Sequence, residues 1–175
     1  MNQTANPMRV VVRTDASLQI GTGHVMRCLT LAAGLADLGA QVEFICRAHQ
    51  GNLIALIEQR GFGVITFPFA YGDDSTSLDQ PEHAHWLGCD WQTDAQQSLN
   101  AISGTVDWIV VDHYALDHRW ETKMREKCAR IMCIDDLADR PHDCDLLLDQ
   151  SLGRCSQDYT TLVPEHAKLL IGPKY

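Results

Sequence analysis

Val10-Val11-Val12-Arg13-Thr14-Asp15, followed by Gly21-Thr22-Gly23-His24-Val25-Met26-Arg27, is the stretch that decides the fold. Three consecutive valines suit a strand buried on both faces, as in a parallel sheet. Beyond the glycines, Val25, Met26, Cys28, Leu29, Ala32 and Leu35 recur at helical spacing. A strand over 9–14 therefore hands over to a helix over 24–38, stopped by Gly39. Glycines at such a turn let the backbone come close to a ligand, and a helix N-terminus favours negative charge. A histidine there can carry a proton near neutral pH.

The alternation continues along the chain. Strands are predicted over 41–46, 64–67, 108–112, 130–134, 145–149 and 168–171, and helices over 52–59, 91–102 and 118–128, the last capped by Asp117. This pattern predicts the α/β class: a Rossmann-like parallel sheet flanked by helices on both faces. Asp15, Asp112-His113 and Asp135-Asp136 all fall just after predicted strands. Ligands of open parallel sheets bind outside the carboxyl ends of the strands, so these segments are expected to converge on one edge. Residues 70–90 are a long, turn-rich loop that contains His83-Ala84-His85-Trp86. Loops of that length are commonly functional or disordered.

The 175 residues suffice for one well-buried domain, and 45% of them are hydrophobic, which argues for a packed core. A net charge of −9 with no Lys/Arg cluster speaks against nucleic-acid and anionic-membrane partners. The cysteine count of 7 is odd, and the polar leader over 1–7 lacks the apolar core of a signal peptide. The cysteines are read as reduced thiols of a cytoplasmic protein and the leader as frayed. No Cys-x-x-Cys occurs, which speaks against a zinc ribbon.

Each candidate site residue has a plain alternative. The Gly21-x-Gly23 loop suggests a dinucleotide fingerprint, but Arg27 stands where the third glycine belongs, and Glu43 lies inside a strand rather than at its end. His24 can be a structural helix-start residue. Its place at the first strand–helix turn, beside two glycines, favours a general base kept neutral by the helix N-terminus. Arg27, one turn along on the same face, can be a surface arginine or a packing stem, or it can hold a phosphate or pair with Asp15. Asp112-His113-Tyr114 can cap a helix or orient a sugar or a water. Asp135-Asp136 can cap, turn or bond hydroxyls, or hold a metal. His83-x-His85 is half a metal site without a third ligand nearby in sequence, so no metal is expected.

With these residues noted, the chain resembles the N-terminal half of the UDP-2,4-diacetamido-2,4,6-trideoxy-β-L-altropyranose hydrolases of pseudaminic acid biosynthesis, over about residues 8–175. The resemblance is carried by Arg13-Thr14-Asp15, by Ile20 to Leu29, and by Val111-Asp112-His113-Tyr114. It continues with Ile134 to Arg140, Cys144 to Gln150 and Gly172-Pro173-Lys174-Tyr175. It implies a GT-B architecture, two Rossmann-like domains with the active site in the cleft between them. It also implies that His24 is the base that activates water against the anomeric carbon. The further substrate-binding positions are then Asp15, Gly21, Gly23, Arg27, Asp112, His113, Tyr114, Asp135 and Asp136. No cofactor is implied.

The family's second domain supplies most of the nucleotide contacts, and this chain stops near where that domain would begin. The expectation is an N-terminal domain that alone binds UDP weakly and turns over its UDP-sugar negligibly. Two other readings compete. One is half of a GT-B glycosyltransferase, in which a sugar hydroxyl replaces water. The other is a non-catalytic sugar- or nucleotide-binding module.

Overall fold

The computed structural model describes residues 6–69 and 80–175. Most of the expected leader and the first part of the 70–90 loop lie outside them. The triple valine forms strand β1, Arg9–Thr14, an interior strand of a seven-stranded sheet. The other strands are β2 (Gln41–Arg47), β3 (Gly63–Phe67), β4 (Val106–Asp112), β5 (Cys128–Ile134), β6 (Leu146–Asp149) and β7 (Lys168–Ile171). Their spatial order is β3-β2-β1-β4-β5-β6-β7, and every neighbouring pair is parallel. This is the Rossmann-like α/β arrangement expected from the alternation.

Among the described residues four α-helices cover the sheet: α1 (Gly23–Asp37), α2 (Ile54–Gln59), α3 (Trp91–Ala101) and α4 (His118–Met124). The period-two geometry of a strand sends neighbouring valines to opposite faces. Val10 and Val12 join Phe44, Val25, Leu29, Ala32 and Ile57 under α1 and α2. Val11 joins Ile45, Ile109, Trp120, Met124 and Ile131 under α3 and α4. Each face thus has its own core, and burying both commits β1 to the interior.

The sequence boundaries shift where the sheet takes control. Helix α4 is capped by Asp117, whose carboxylate accepts from the Arg119 amide at 2.9 Å. It ends at Met124 rather than near 128, because Cys128 already pairs with Val106 and the chain must turn first. Strand β5 starts two residues before its apolar run for the same reason. Helix α1 stops at Gly39, whose positive φ of 88° suits a residue without a side chain.

Strand order reverses between β1 and β4. Connections leave in opposite directions there, opening a crevice at the carboxyl edge. The seven cysteines are all free thiols, and Cys28, Cys46, Cys133 and Cys144 are buried. No helix among the described residues is long and apolar enough to cross a membrane.

Candidate active site

The turn after β1 is tied down locally. Ser17 Oγ accepts from the Gln19 and Ile20 amides at 3.1 and 2.9 Å, and the Gly21 amide donates to the Ser17 carbonyl at 2.9 Å. Gly21 takes a φ of +79°, a left-handed conformation that favours glycine. Thr22 then starts α1 without a side-chain cap. The amides of Gly23, His24 and Val25 have no hydrogen-bond partner among the described residues, so the helix start presents free donors.

His24 is the second residue of α1 and lies at the crevice between β1 and β4. Its Nδ1 is 2.5 Å from Asp112 Oδ1 at the end of β4. Asp112 is fully buried. Burial alone would push its carboxyl up, but hydrogen bonds from Arg27 and His24 outweigh that and hold it below the ordinary carboxylate value. An ionised carboxylate only accepts hydrogen bonds. Nδ1 must therefore carry the hydrogen, which in neutral imidazole leaves the lone pair on Nε2. Nε2 has no hydrogen-bond partner among the described residues.

Arg27 fixes the same carboxylate from its other side. Nε reaches Asp112 Oδ2 at 2.6 Å and Nη2 reaches Oδ1 at 2.6 Å, a two-pronged grip. Nη1 donates to Asp136 Oδ2 at 2.9 Å. The sequence offered Arg27 a phosphate or Asp15; the structure pairs it with Asp112 and Asp136 and gives Asp15 to Arg13. Strand order explains the choice, since β4 lies between the turn after β1 and β5. The approach of Arg27 Nη2 to His24 Nδ1, 3.2 Å, is a contact between two donors rather than a bond.

Tyr114 closes the group. Its hydroxyl donates to Asp136, and the His24 ring stands edge-on to its ring with centroids 4.5 Å apart. Burial and the Asp136 carboxylate both push the Tyr114 phenol up. The segment after residue 80 adds more rings. His83 stacks on Trp86 at 4.3 Å, and both lie within 6 Å of the Tyr114 ring. His85 turns away to Gln19, with 3.0 Å between nitrogens, so the His83/His85 pair does not converge on one point. The placement of His83 and Trp86 beside Tyr114 had no signal in the sequence, because the packing of a loop against a distant strand end is not periodic.

Asp15, His113 and Asp135 sit deeper. Asp15 is buried, accepts from the Arg47 amide at 2.6 Å and pairs with Arg13 at 2.8 Å. Burial opposes its charge, but Arg13, His113 and His49 keep its carboxyl well below the ordinary value. His113 Nδ1 accepts from the Ala115 amide at 3.1 Å, so its Nε2 carries the hydrogen toward Asp15 Oδ2, 3.2 Å away. Burial pushes the His113 imidazole down, against the pull of Asp15. Asp135 pairs with Arg140 at 2.8 Å and accepts from the Ala138 amide and the Tyr159 hydroxyl at 2.9 and 3.0 Å. Of the residues singled out in the sequence, His24, Arg27, Asp112, Tyr114 and Asp136 form one cluster, with Gly21 in the adjoining turn and Gly23 opening α1. Asp15, with His113 and Arg13, and Asp135, with Arg140 and Tyr159, form separate buried pairings.

No protein-family model matches the chain. Along 170 residues it is 29% identical to the UDP-2,4-diacetamido-2,4,6-trideoxy-β-L-altropyranose hydrolase of Campylobacter jejuni, a match covering 96% of this chain and 51% of that protein. The chain is a relative of that hydrolase. The match is consistent with an N-terminal domain of the hydrolase family, and the chain spans about half of the Campylobacter protein. An uncharacterized protein of Methanocaldococcus jannaschii is 22% identical over 170 residues, covering 96% of this chain and 30% of its own length.

Proposed function

We propose that this chain is the N-terminal domain of a two-domain, GT-B-type UDP-sugar hydrolase, with His24 as the general base. The substrate is a UDP-linked 2,4-diacetamido-2,4,6-trideoxy sugar, as in pseudaminic acid biosynthesis, and the setting is the cytoplasm. The observation that carries this reading is the His24–Asp112 pair at the β1/β4 crevice. Asp112 holds Nδ1–H at 2.5 Å and leaves Nε2 to take a proton. Kinship with the Campylobacter hydrolase supports the reaction class.

The proposed step is an inverting displacement. A water gives its proton to His24 Nε2 as its oxygen attacks the anomeric carbon. The bond from that carbon to the β-phosphate oxygen breaks, and UDP leaves with the bonding pair. Asp112 stabilises the imidazolium as it forms, which is the role of the carboxylate in a His–Asp pair. Arg27 keeps Asp112 oriented. Its charge is already matched by Asp112 and Asp136, so it is a poor anchor for the diphosphate. The free amides of Gly23 to Val25 are better placed to meet a substrate oxygen. The diphosphate itself falls to a second domain across the cleft.

Two assays test the proposal. In the two-domain protein, His24→Ala should cut UDP release by roughly three orders of magnitude or more while substrate binding is retained. Unchanged turnover removes His24 from the mechanism. The 175-residue chain alone should release UDP negligibly, and robust turnover by it would show that no second domain is needed. Product mass spectrometry distinguishes water from a sugar acceptor: free sugar supports hydrolysis, and a new glycoside replaces it with transfer.

A further inference from the structure

Away from the crevice, three metal-ligating side chains meet in the core. Glu121 projects from α4, Cys133 from β5, and His142 from the segment between β5 and β6. Their ligand atoms lie within 4.8 Å of one another, and all three residues are buried. Cys133 Sγ donates to Glu121 Oε1 at 3.1 Å, and His142 Nδ1 is 2.8 Å from the same oxygen. Cys144 is buried as well; burial pushes the neighbouring Cys133 thiol up, and the Cys144 thiol adds to that push. We propose that Glu121, Cys133 and His142 form a structural site for a borderline divalent cation of the zinc type, with Cys144 beside it for the fourth position.

Two further observations point to a cation. Glu121 is fully buried, yet among the described residues no lysine or arginine is seen to pair with it, and its other oxygen accepts from the Asp143 amide. Its charge partner among them is His142 at 2.8 Å, positive only when the imidazole is protonated, and a bound cation supplies that charge with the ring neutral. His142 Nε2 is buried with no hydrogen-bond partner, and it faces Asp135 Oδ2 at 4.0 Å. A metal-bound histidine usually presents its outer N–H to a carboxylate, so the second ring nitrogen already has such a carboxylate in front of it.

The chemistry balances simply. On binding, the Cys133 thiol proton is released to solvent. The His142 hydrogen moves from Nδ1 to Nε2, toward Asp135. The Cys133 thiolate and the Glu121 carboxylate match the divalent charge; Cys144, on taking the fourth position, also loses its thiol proton to solvent and adds one negative charge. Nitrogen, sulfur and oxygen ligands suit zinc or cobalt and disfavour calcium and magnesium. Tetrahedral ligand atoms stand about 3.3–3.5 Å apart, so the hydrogen-bonded trio must open by about half an ångström. The site is closed from solvent, which means the ion enters as the chain folds.

The test is loading during folding. The chain is unfolded with chelator and refolded with zinc or with cobalt(II), and unbound metal is removed. The expected results are about one equivalent of metal, a thiolate-to-cobalt charge-transfer band, tetrahedral cobalt absorption and a Tm above that of the metal-free protein. Cys133→Ser and His142→Gln should each lose the metal, and His83→Ala should keep it. Substoichiometric metal in refolded wild-type chain overturns the proposal, as does a cobalt spectrum without the thiolate band. Full retention by either folded variant also overturns it. If a variant does not fold, sulfur, nitrogen and oxygen in the wild-type metal-edge X-ray absorption spectrum still decide the matter.

Discussion

At the scale of single residues, the proposed chemistry rests on which nitrogen of His24 carries the hydrogen. Asp112→Asn keeps the shape but offers an amide donor as well as an acceptor. The ring is then free to adopt the wrong tautomer. We expect a loss of about 10³–10⁴-fold in UDP release by the two-domain protein, as for comparable His–Asp pairs. Activity within a few-fold of wild type would show that Asp112 does not set the tautomer. The two glycines separate folding from binding. Gly21 sits at φ +79°, so Gly21→Ala should cost about 1–2 kcal/mol in a denaturant titration. Gly23 is helical, and a methyl group there meets no atom within 4 Å. Gly23→Ala should therefore keep or raise Tm, since alanine favours helix. Its expected defect is a raised KM, because the added methyl stands beside the free amides. An unchanged KM would place the substrate elsewhere.

At the scale of elements, the helices that the sequence announced most clearly carry their own start signals. Asp90 accepts from the Thr93 amide at 2.7 Å and Asp117 from the Arg119 amide at 2.9 Å. Replacing Asp90 by alanine should destabilise the chain by about 1 kcal/mol in a urea titration. Helix α1 differs, having no side-chain cap at Thr22. An uncapped start beside His24 is a local cost that leaves backbone donors free. The strands show the limit of pattern reading. Their apolar runs located all seven, but where β5 begins depended on its pairing with β4.

At the scale of the whole molecule, buried charge sets how stability responds to pH. Asp15, Asp94, Asp112 and Asp135 are all held below their ordinary values by their partners, against the effect of burial. The unfolded chain therefore takes up protons first as pH falls through about 4, and stability should drop there and continue dropping until the folded groups titrate. Thiols act in the other direction. Burial pushes Cys128 up to about 11 and Cys89 up to about 12. Unfolded thiols ionise near about 8.5, so above that pH the folded state holds more protons and stability should fall again. Urea midpoints across pH should show a plateau between about 5 and 8 with a decline on each side. A midpoint still rising below pH 4 would contradict the acid limb.

The sequence by itself determined the α/β class, the strand–helix alternation and the glycine-flanked histidine. Periodicity, glycine stops and capping residues act over a few neighbours, and neighbours are what a sequence displays. It also located the strand-end acids, since each follows its own apolar run. Only the tertiary structure decided how those acids divide. His24 meets Asp112, 88 residues away, because β4 takes its place beside β1. The same strand order gives Arg27 to Asp112 and Asp136, and leaves Asp15 with Arg13 and His113. Glu121, Cys133 and His142 converge for a like reason: α4 lies over β5, and the following loop folds back against both. Pairings of this kind depend on which strands become neighbours, and no local pattern carries that information.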